Sequence, residues 1–513
     1  MKNIKKIIMV LLVAVLSLCG LTNVNAAGNG KITVNNAVAG KTYEIYKIFD
    51  LTYTGTGTNA KVAYTIDSDW EAFFTGAGAS YLTDQDKDEN GIALNPITIG
   101  STKKYINITE DNVADFTQAA LAYATKLDGN DGSQVAGEGS TTVTFENLDL
   151  GYYLVYPQGA TDIEGEDENG KPYASICSIT STLPEATVNV KAKAPEIDKV
   201  VDKNNVDVGD EVTFTIKGQV PDTTGYDSYT YNITDTMTAG LTFVKEVNVT
   251  FGTTPIEVTP SYSNNGFEIN FDMTDYQDYK GQTITVTYKA IINENAVTDD
   301  ETKNTAVLKY SNNPKVEDSY DTFTDEEIVY SSQLKVLKVD AKDNSIELKG
   351  AKFVVKNSEG KYYVAYTLDD EGNRTVMTNV SSTNGLVDVE WIDEDDADLK
   401  NYTNITLLET DETGVILFKG IKNGEYSLVE VAAPEGYNKL TGPVTVKVGY
   451  NEEGTTLLET NVSHEEKVEN STGTQLPSTG GVGTTMFIII GSLLMIGSLL
   501  VLITNKRMSK ESL

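Results

Sequence analysis

The chain has 513 residues, with 40 Lys plus Arg against 75 Asp plus Glu, a net charge of -35, one His and two Cys. A single His, His464, excludes a multi-His metal site and argues against a Ser-His-Asp or Cys-His apparatus, and the acidity argues against nucleic acid as a partner. With 40% hydrophobic and 9% aromatic residues the chain can build cores, and its length suits about three domains of roughly 150 residues each.

The N-terminus reads as a secretory signal peptide over residues 1–26. Lys2, Lys5 and Lys6 form a basic start, and Ile7 to Leu18 is an apolar run. Small residues at Val24-Asn25-Ala26 place cleavage between Ala26 and Ala27. Loss of this segment removes Cys19 and leaves Cys177 alone. A lone Cys cannot form an internal disulfide, so an exported chain of this size needs another source of durability. Cys177 itself reads as a small buried hydrophobe.

From residue 27 the chain reads as β almost throughout. Runs such as Lys31–Val34, Thr141–Phe145, Gln282–Tyr288 and Pro443–Val448 are rich in Val, Thr, Ile and Tyr and lie between turn-forming clusters. One stretch, Asn112 to Leu127, has Val113, Phe116, Ala120, Tyr123, Ala124 and Leu127 at helical spacing. Short strands at regular intervals favour all-β, immunoglobulin-like sandwiches in tandem. Joints near Ala192-Lys193-Ala194-Pro195 and near 328–333 divide the interior into domains at 27–193, 194–330 and 331–471. A polar tether, Asn470 to Thr474, follows. The first and third domains share a phrase: Phe145-Glu146-Asn147-Leu148 to Gly151-Tyr152-Tyr153-Leu154-Val155 resembles Phe418-Lys419-Gly420-Ile421 to Gly424-Glu425-Tyr426-Ser427-Leu428-Val429.

The last region, 472–513, carries a second signal. Leu476-Pro477-Ser478-Thr479-Gly480 precedes an apolar, uncharged stretch from Met486 to Ile503, then Lys506, Arg507 and Lys510. Pentapeptide, membrane-length span and basic tail in this order resemble the cell-wall sorting signal of Gram-positive surface proteins. The resemblance implies cleavage between Thr479 and Gly480 by a sortase that holds Thr479 as a thioester, and attachment to peptidoglycan. Both discarded ends together carry six basic residues and one acidic one, so the mature charge deepens from -35 to -40.

Alternation along Tyr426-Ser427-Leu428-Val429-Glu430 puts Glu430 on the same face as Tyr426 and Leu428. A glutamate among core residues must be neutral or paired. Beside a buried lysine, desolvation raises the carboxyl pKa and lowers the amine pKa. A neutral amine is a nucleophile, and a neutral acid can polarise a nearby asparagine carbonyl. The three could form a Lys–Asn isopeptide bond with loss of ammonia, needing no cysteine and no cofactor.

At these residues the chain resembles the major (backbone) pilins of Gram-positive bacteria, of the SpaH/EbpB type. The third domain resembles a CnaB-type domain through Leu337-Lys338-Val339-Asp340, Leu348-Lys349-Gly350-Ala351-Lys352-Phe353, and Tyr426 to Glu430 with Ala433-Pro434-Glu435-Gly436-Tyr437. The resemblance implies Lys338 as amine, Glu430 as catalytic acid and Asn470 as acceptor. The second domain resembles the CnaA-like middle domain, with Lys199 in Pro195-Glu196-Ile197-Asp198-Lys199 and Asp235 in Tyr231-Asn232-Ile233-Thr234-Asp235. There Asn304 and Asn312 both qualify as acceptor, with Asn304 preferred. In the first domain Tyr156 stands where the acid would be, so no such bond is expected.

The resemblance also implies polymerisation by a pilin-class sortase, through a lysine at the end of the first domain. Lys193 aligns with that lysine, and Lys191 is its rival. Expected partners are that sortase and a housekeeping sortase, identical subunits head to tail, and tip and base pilins; a host-surface ligand is left open. The alternative is a monomeric wall-anchored adhesin built from the same modules. The acidic run Asp84 to Gly91 starts like a calcium loop but lacks Gly at the sixth position and Glu at the twelfth, where Asn95 stands, so no metal site is expected.

Overall fold

The computed structural model describes residues 30–54, 61–109, 112–159, 178–181, 185–189, 194–297, 302–378, 385–393, 404–473 and 489–501. The Ala26–Ala27 cleavage site, Cys177, Lys191, Lys193 and the pentapeptide Leu476 to Gly480 lie outside these residues. The chain divides into two compact units between Ser331 and Ser332.

The first unit holds two sets of sheets. In the N-terminal set, β1 (Gly30–Asn35) pairs antiparallel with β3 (Thr142–Leu148) and parallel with β5 (Glu185–Asn189). Facing this sheet, β2 (Thr42–Thr54) pairs antiparallel with β4 (Gly151–Pro157). Ile32, Val34, Ile45, Phe145 and Val155 form one core cluster between them. A second cluster packs Phe49, Trp70, Phe73 and Phe74 against α1 (Val113–Ala124), whose Phe116, Ala120, Leu121 and Ala124 are buried. The helix therefore lies within the stretch expected from periodicity, and the aromatic group at 70–74 decides which of its faces is covered. Tyr123 is only half-buried, but its hydroxyl donates to the Asp69 carbonyl.

The second set begins after the joint at 194–197. One sheet orders β6 (Asp198–Val201), β7 (Glu211–Gln219), β11 (Thr283–Ile292) and β9 (Leu241–Phe251). The other orders β10 (Gly266–Asp272), β8 (Thr230–Met237), β12 (Thr302–Ser311) and β13 (Tyr320–Val329). Burial alternates along β7 and β11: Val212, Phe214 and Ile216 on β7, and Ile284, Val286 and Tyr288 on β11, point inward. This period of two is what places polar groups in the core when they occupy the inward phase. The two sets touch through Lys41 with Asp321, Lys41 Nζ to the Tyr310 hydroxyl at 3.2 Å, and Lys315 Nζ donating to the Leu127 carbonyl at 3.1 Å.

In the second unit, β14 (Ser332–Asp340) lies between β16 (Val415–Ile421), antiparallel, and β19 (Ser463–Asn470), parallel. The facing sheet contains β15 (Lys352–Lys356), β17 (Gly424–Ala432) and β18 (Val444–Val448). Asn470, expected in the polar tether, is instead the last residue of β19 and is buried. Pairing with Asp340 extends the strand to that position. Residues 489–501 are helical; among the described residues no helix is long and apolar enough to cross a membrane, and 486–488 and 502–503 of the apolar stretch lie outside them.

The shared phrase of the first and third domains is one sheet-to-sheet corner, β3 to β4 and β16 to β17, in which the chain passes from one sheet to the facing one. Tyr153 donates to the Asp149 carbonyl at 2.9 Å and Tyr426 to the Lys422 carbonyl at 2.6 Å, each closing its own corner four residues upstream. At the mouth of β16, Gly414 has φ +68°, and a Cβ there would lie 2.6 Å from the Lys338 carbonyl oxygen. Gly414→Ala should therefore destabilise the second unit by about 1–3 kcal/mol, as strained left-handed positions do. Urea denaturation of the full chain checks this; an unchanged midpoint would contradict it.

Candidate functional sites

Each of the two later domains buries one lysine, one acid and one asparagine together. In the middle domain Lys199 is on β6, Asp235 on β8 and Asn304 on β12, all in the inward phase and 2%, 1% and 0% exposed. Lys199 Nζ lies 2.5 Å from Asp235 Oδ2. The amine comes from one sheet, the acid and amide from the other. The Tyr288 hydroxyl on β11 joins the group: it donates to Asp235 Oδ2 at 2.5 Å, accepts from Asn304 Nδ2 at 3.0 Å, and contacts Lys199 Nζ. Phe214 and Tyr288 present their ring faces to the amine at 5.1 Å. Burial lowers the Lys199 pKa despite the opposing Asp235 charge, and burial raises that of Asp235 despite Lys199. Both shifts favour the neutral pair. Asp235 Oδ1 and Asn304 Oδ1 are buried without a hydrogen-bond partner.

Asn312, the rival acceptor, is elsewhere. It follows β12, and its Oδ1 accepts from Ser319 Oγ at 2.6 Å to tie the β12–β13 turn. The structure brings Asn304, not Asn312, to the Asp235 and Tyr288 side chains that contact Lys199.

In the third domain Lys338 on β14 and Asn470 on β19 are neighbours across the parallel pair, and Glu430 reaches them from β17 on the facing sheet. They are 0%, 2% and 2% exposed. Lys338 Nζ donates to Asn470 Oδ1 at 2.7 Å and to the Val468 carbonyl at 3.1 Å, with Glu430 Oε1 at 3.8 Å. Asn470 Nδ2 donates to Glu430 Oε1 at 2.7 Å, and the Leu440 amide donates to Glu430 Oε2 at 2.7 Å. Burial pushes the Lys338 pKa down to about 8 against the attraction of Glu430. An amine near neutrality in contact with a fixed amide can attack it.

The N-terminal domain differs. Tyr156 is buried on β4, paired in register with Glu44. Glu44 is also buried, but its carboxylate accepts from the Tyr46 hydroxyl at 2.5 Å and from Asn130 Nδ2 at 3.0 Å. That arrangement satisfies the acid with neutral donors. The acidic run at 84–91 folds as a tight turn in which Asp88 Oδ1 accepts from the Asn90 and Ile92 amides.

Residues 332–463 match the family described as a SpaA prealbumin-like fold domain, and residues 468–510 match the LPXTG cell wall anchor motif. A curated relative, the trypsin-resistant surface T6 protein of Streptococcus pyogenes serotype M6, is 27% identical over 397 residues, covering 65% of this chain and 71% of its own length. These matches make the chain similar to LPXTG-anchored surface proteins of Gram-positive bacteria. Its place is the cell wall surface of a Gram-positive bacterium. Among solved structures, the chain resembles the T6 backbone pilin of serotype M6 S. pyogenes (18% identity, 84% of this chain, 81% of that one, TM-score 0.46). It also resembles the major pilin SpaD of Corynebacterium diphtheriae (16% identity, 88% and 99% covered, TM-score 0.42).

Tyr288 was not singled out in the sequence, although a signal for it exists. It occupies the inward phase of a strand otherwise filled inward by Ile284 and Val286, and a buried tyrosine hydroxyl requires a partner.

The Lys338 shift has a sign that can be tested. The unfolded lysine keeps its proton to about pH 10, whereas the folded one releases it near pH 8. Between these values unfolding takes up a proton, so raising the pH stabilises the fold across this window. Asn470→Ala prevents cross-linking and keeps Lys338 buried. Its denaturation midpoint should rise between about pH 8 and pH 10 relative to the double variant Lys338→Met, Asn470→Ala. Parallel pH profiles for the two would contradict the assignment.

Proposed function

We propose that this chain is the repeating shaft subunit of a covalent surface pilus, with two internal Lys–Asn isopeptide bonds and one sortase-made bond between subunits. The observation that carries the reading is the pair of buried lysine–acid–asparagine clusters in a chain ending in a sorting signal. Each cluster has an amine stripped of water and an amide within its reach. In the third domain Nζ attacks Asn470 Cγ, the Cγ–Nδ2 bond breaks, and ammonia departs with a proton that started on Nζ. Glu430, bonded to Nδ2, is placed to carry that proton. Asp235 has the same part beside Lys199 and Asn304. The chain is a substrate of sortases, and its own chemistry is confined to these single-turnover bonds.

Between subunits, the sortase-held Thr479 is transferred to Lys193, with Lys191 as the rival nucleophile. Transfer to peptidoglycan by a housekeeping sortase ends the polymer, and tip and base pilins complete it. The strongly acidic mature surface keeps subunits soluble and mutually repelling, so the shaft depends on covalent bonds for its cohesion.

Intact-mass spectrometry of the chain between the two signals should show two losses of about 17 Da each, one ammonia per bond. Asp235→Ala and Glu430→Ala should each restore one of them. By analogy with the closure of long disulfide loops, each bond is worth about 5 kcal/mol, so each variant should also melt at lower temperature. Full mass in the wild type would sink the internal bonds. For the shaft, an immunoblot of wall extracts should show a high-mass ladder that survives hot detergent and collapses in Lys193→Ala. A single wild-type band would refute polymerisation, and a ladder lost only in Lys191→Ala would move the linkage there.

A further inference from the structure

The middle-domain cluster contains a fourth polar group that the third-domain cluster lacks. The Tyr288 hydroxyl bonds to all three partners: Lys199 Nζ, Asp235 Oδ2 at 2.5 Å and Asn304 Nδ2 at 3.0 Å. Its hydrogen-bonding capacity is one donor and two acceptor lone pairs, and all three are used. In the third domain Asn470 Nδ2 reaches Glu430 Oε1 directly at 2.7 Å. In the middle domain the acid is one methylene shorter, and Asp235 pairs in register with Ala306, two residues along β12 from Asn304. Asn304 also interacts with Asp235 directly, but the closely spaced hydrogen-bonded path from acid to amide nitrogen, at 2.5 and 3.0 Å, runs through the tyrosine. Tyr288 is itself buried and held by Phe214, Phe243 and Phe267, with ring centroids 5.7, 6.1 and 4.8 Å away. The hydroxyl is thus fixed in place and shielded from water.

We infer that Tyr288 is a catalytic residue of the Lys199–Asn304 reaction and relays the proton from the Lys199–Asp235 pair to the departing amide nitrogen. This rests on the isopeptide reading above. The Nζ–Cγ bond forms and the Cγ–Nδ2 bond breaks. One proton moves, net, from Nζ to Nδ2 by way of Asp235 Oδ2 and the Tyr288 hydroxyl, and both relay groups end as they began. Ammonia is the only leaving group, and neither oxidant nor cofactor enters.

The test follows ammonia loss at both sites in one molecule. The chain between the signals is made in a short pulse of cell-free synthesis, and peptide-resolved mass spectrometry reads each cross-link with time. Tyr288→Phe should slow the Lys199–Asn304 loss by about a hundredfold or more, the usual scale of general acid–base catalysis. The Lys338–Asn470 loss in the same molecules should keep its wild-type rate. Equal rates at the middle site in wild type and Tyr288→Phe would overturn the relay. Absence of the middle-site loss in the wild type would instead overturn the reading on which it rests. Asn304→Ala with and without Tyr288→Phe, compared by thermal melting, reports whether phenylalanine is tolerated. If it is not, 3,5-difluorotyrosine at 288 preserves the ring and lowers the hydroxyl pKa. A changed rate at the middle site alone supports the relay, and an unchanged rate overturns it.

Discussion

Removing an ammonium group from water is the constraint on which the two later domains depend. A lone charged lysine in an apolar core costs several kcal/mol, and its pairing with a carboxylate repays this only with good geometry and full hydrogen bonding. Lys199 and Lys338 meet this cost differently. Lys338 has the Asn470 and Val468 oxygens as acceptors, with the acid further off. Lys199 sits against its acid and a tyrosine between two ring faces. In both, proton loss from the amine relieves the burial penalty, and the relieved state is the reactive one. The instability of the uncross-linked site and its chemistry thus share one cause.

Strand periodicity turns this constraint into position. Successive side chains of a strand face opposite sides, so a charged residue in the inward phase is committed to the core. This made Glu430 legible, two steps beyond Leu428 and four beyond Tyr426, and the same logic covers Asp235 beyond Tyr231 and Ile233. Asn470 was less legible because Ser463–Asn470 is mostly polar. Its partner faces become apolar only through parallel pairing with β14, a contact across most of the domain that local pattern does not encode. The choice between Asn304 and Asn312 was open for a related reason. Both lie in the same phase, and only the turn formed by Ser319 shows that β12 has ended before Asn312. Tyr288 was hidden by its ordinariness, since tyrosine is a common strand residue and its hydroxyl matters only once three neighbours from other strands converge on it.

The N-terminal domain keeps the sheet-to-sheet corner of the third domain, including its closing tyrosine, but answers the buried-acid problem without a lysine. Glu44 takes its bonds from Tyr46 and Asn130. It is joined to the middle domain by polar side chains, Lys41 to Asp321 and Gln118 Nε2 to Asp222 Oδ2 at 3.3 Å. These contacts are partly exposed, and exposed ion pairs contribute little.

The placement of the two proposed bonds has an uneven mechanical consequence. Lys338 and Asn470 are on the first and last strands of their domain, 132 residues apart. Tension entering at β14 and leaving at the end of β19 would pass through that bond and bypass the other strands. In the middle domain the bond would join β6 to β12, and β13 would follow it uncovered. Force there would have to cross the β12–β13 ladder after leaving Asn304. That ladder is long and in continuous register from Thr302–Val329 to Ser311–Tyr320. Pulled along the chain from Asn304, its hydrogen bonds are the first in this domain that no covalent link would relieve. Under load the middle domain should therefore yield from its C-terminal strand inward, up to the cross-link and no further.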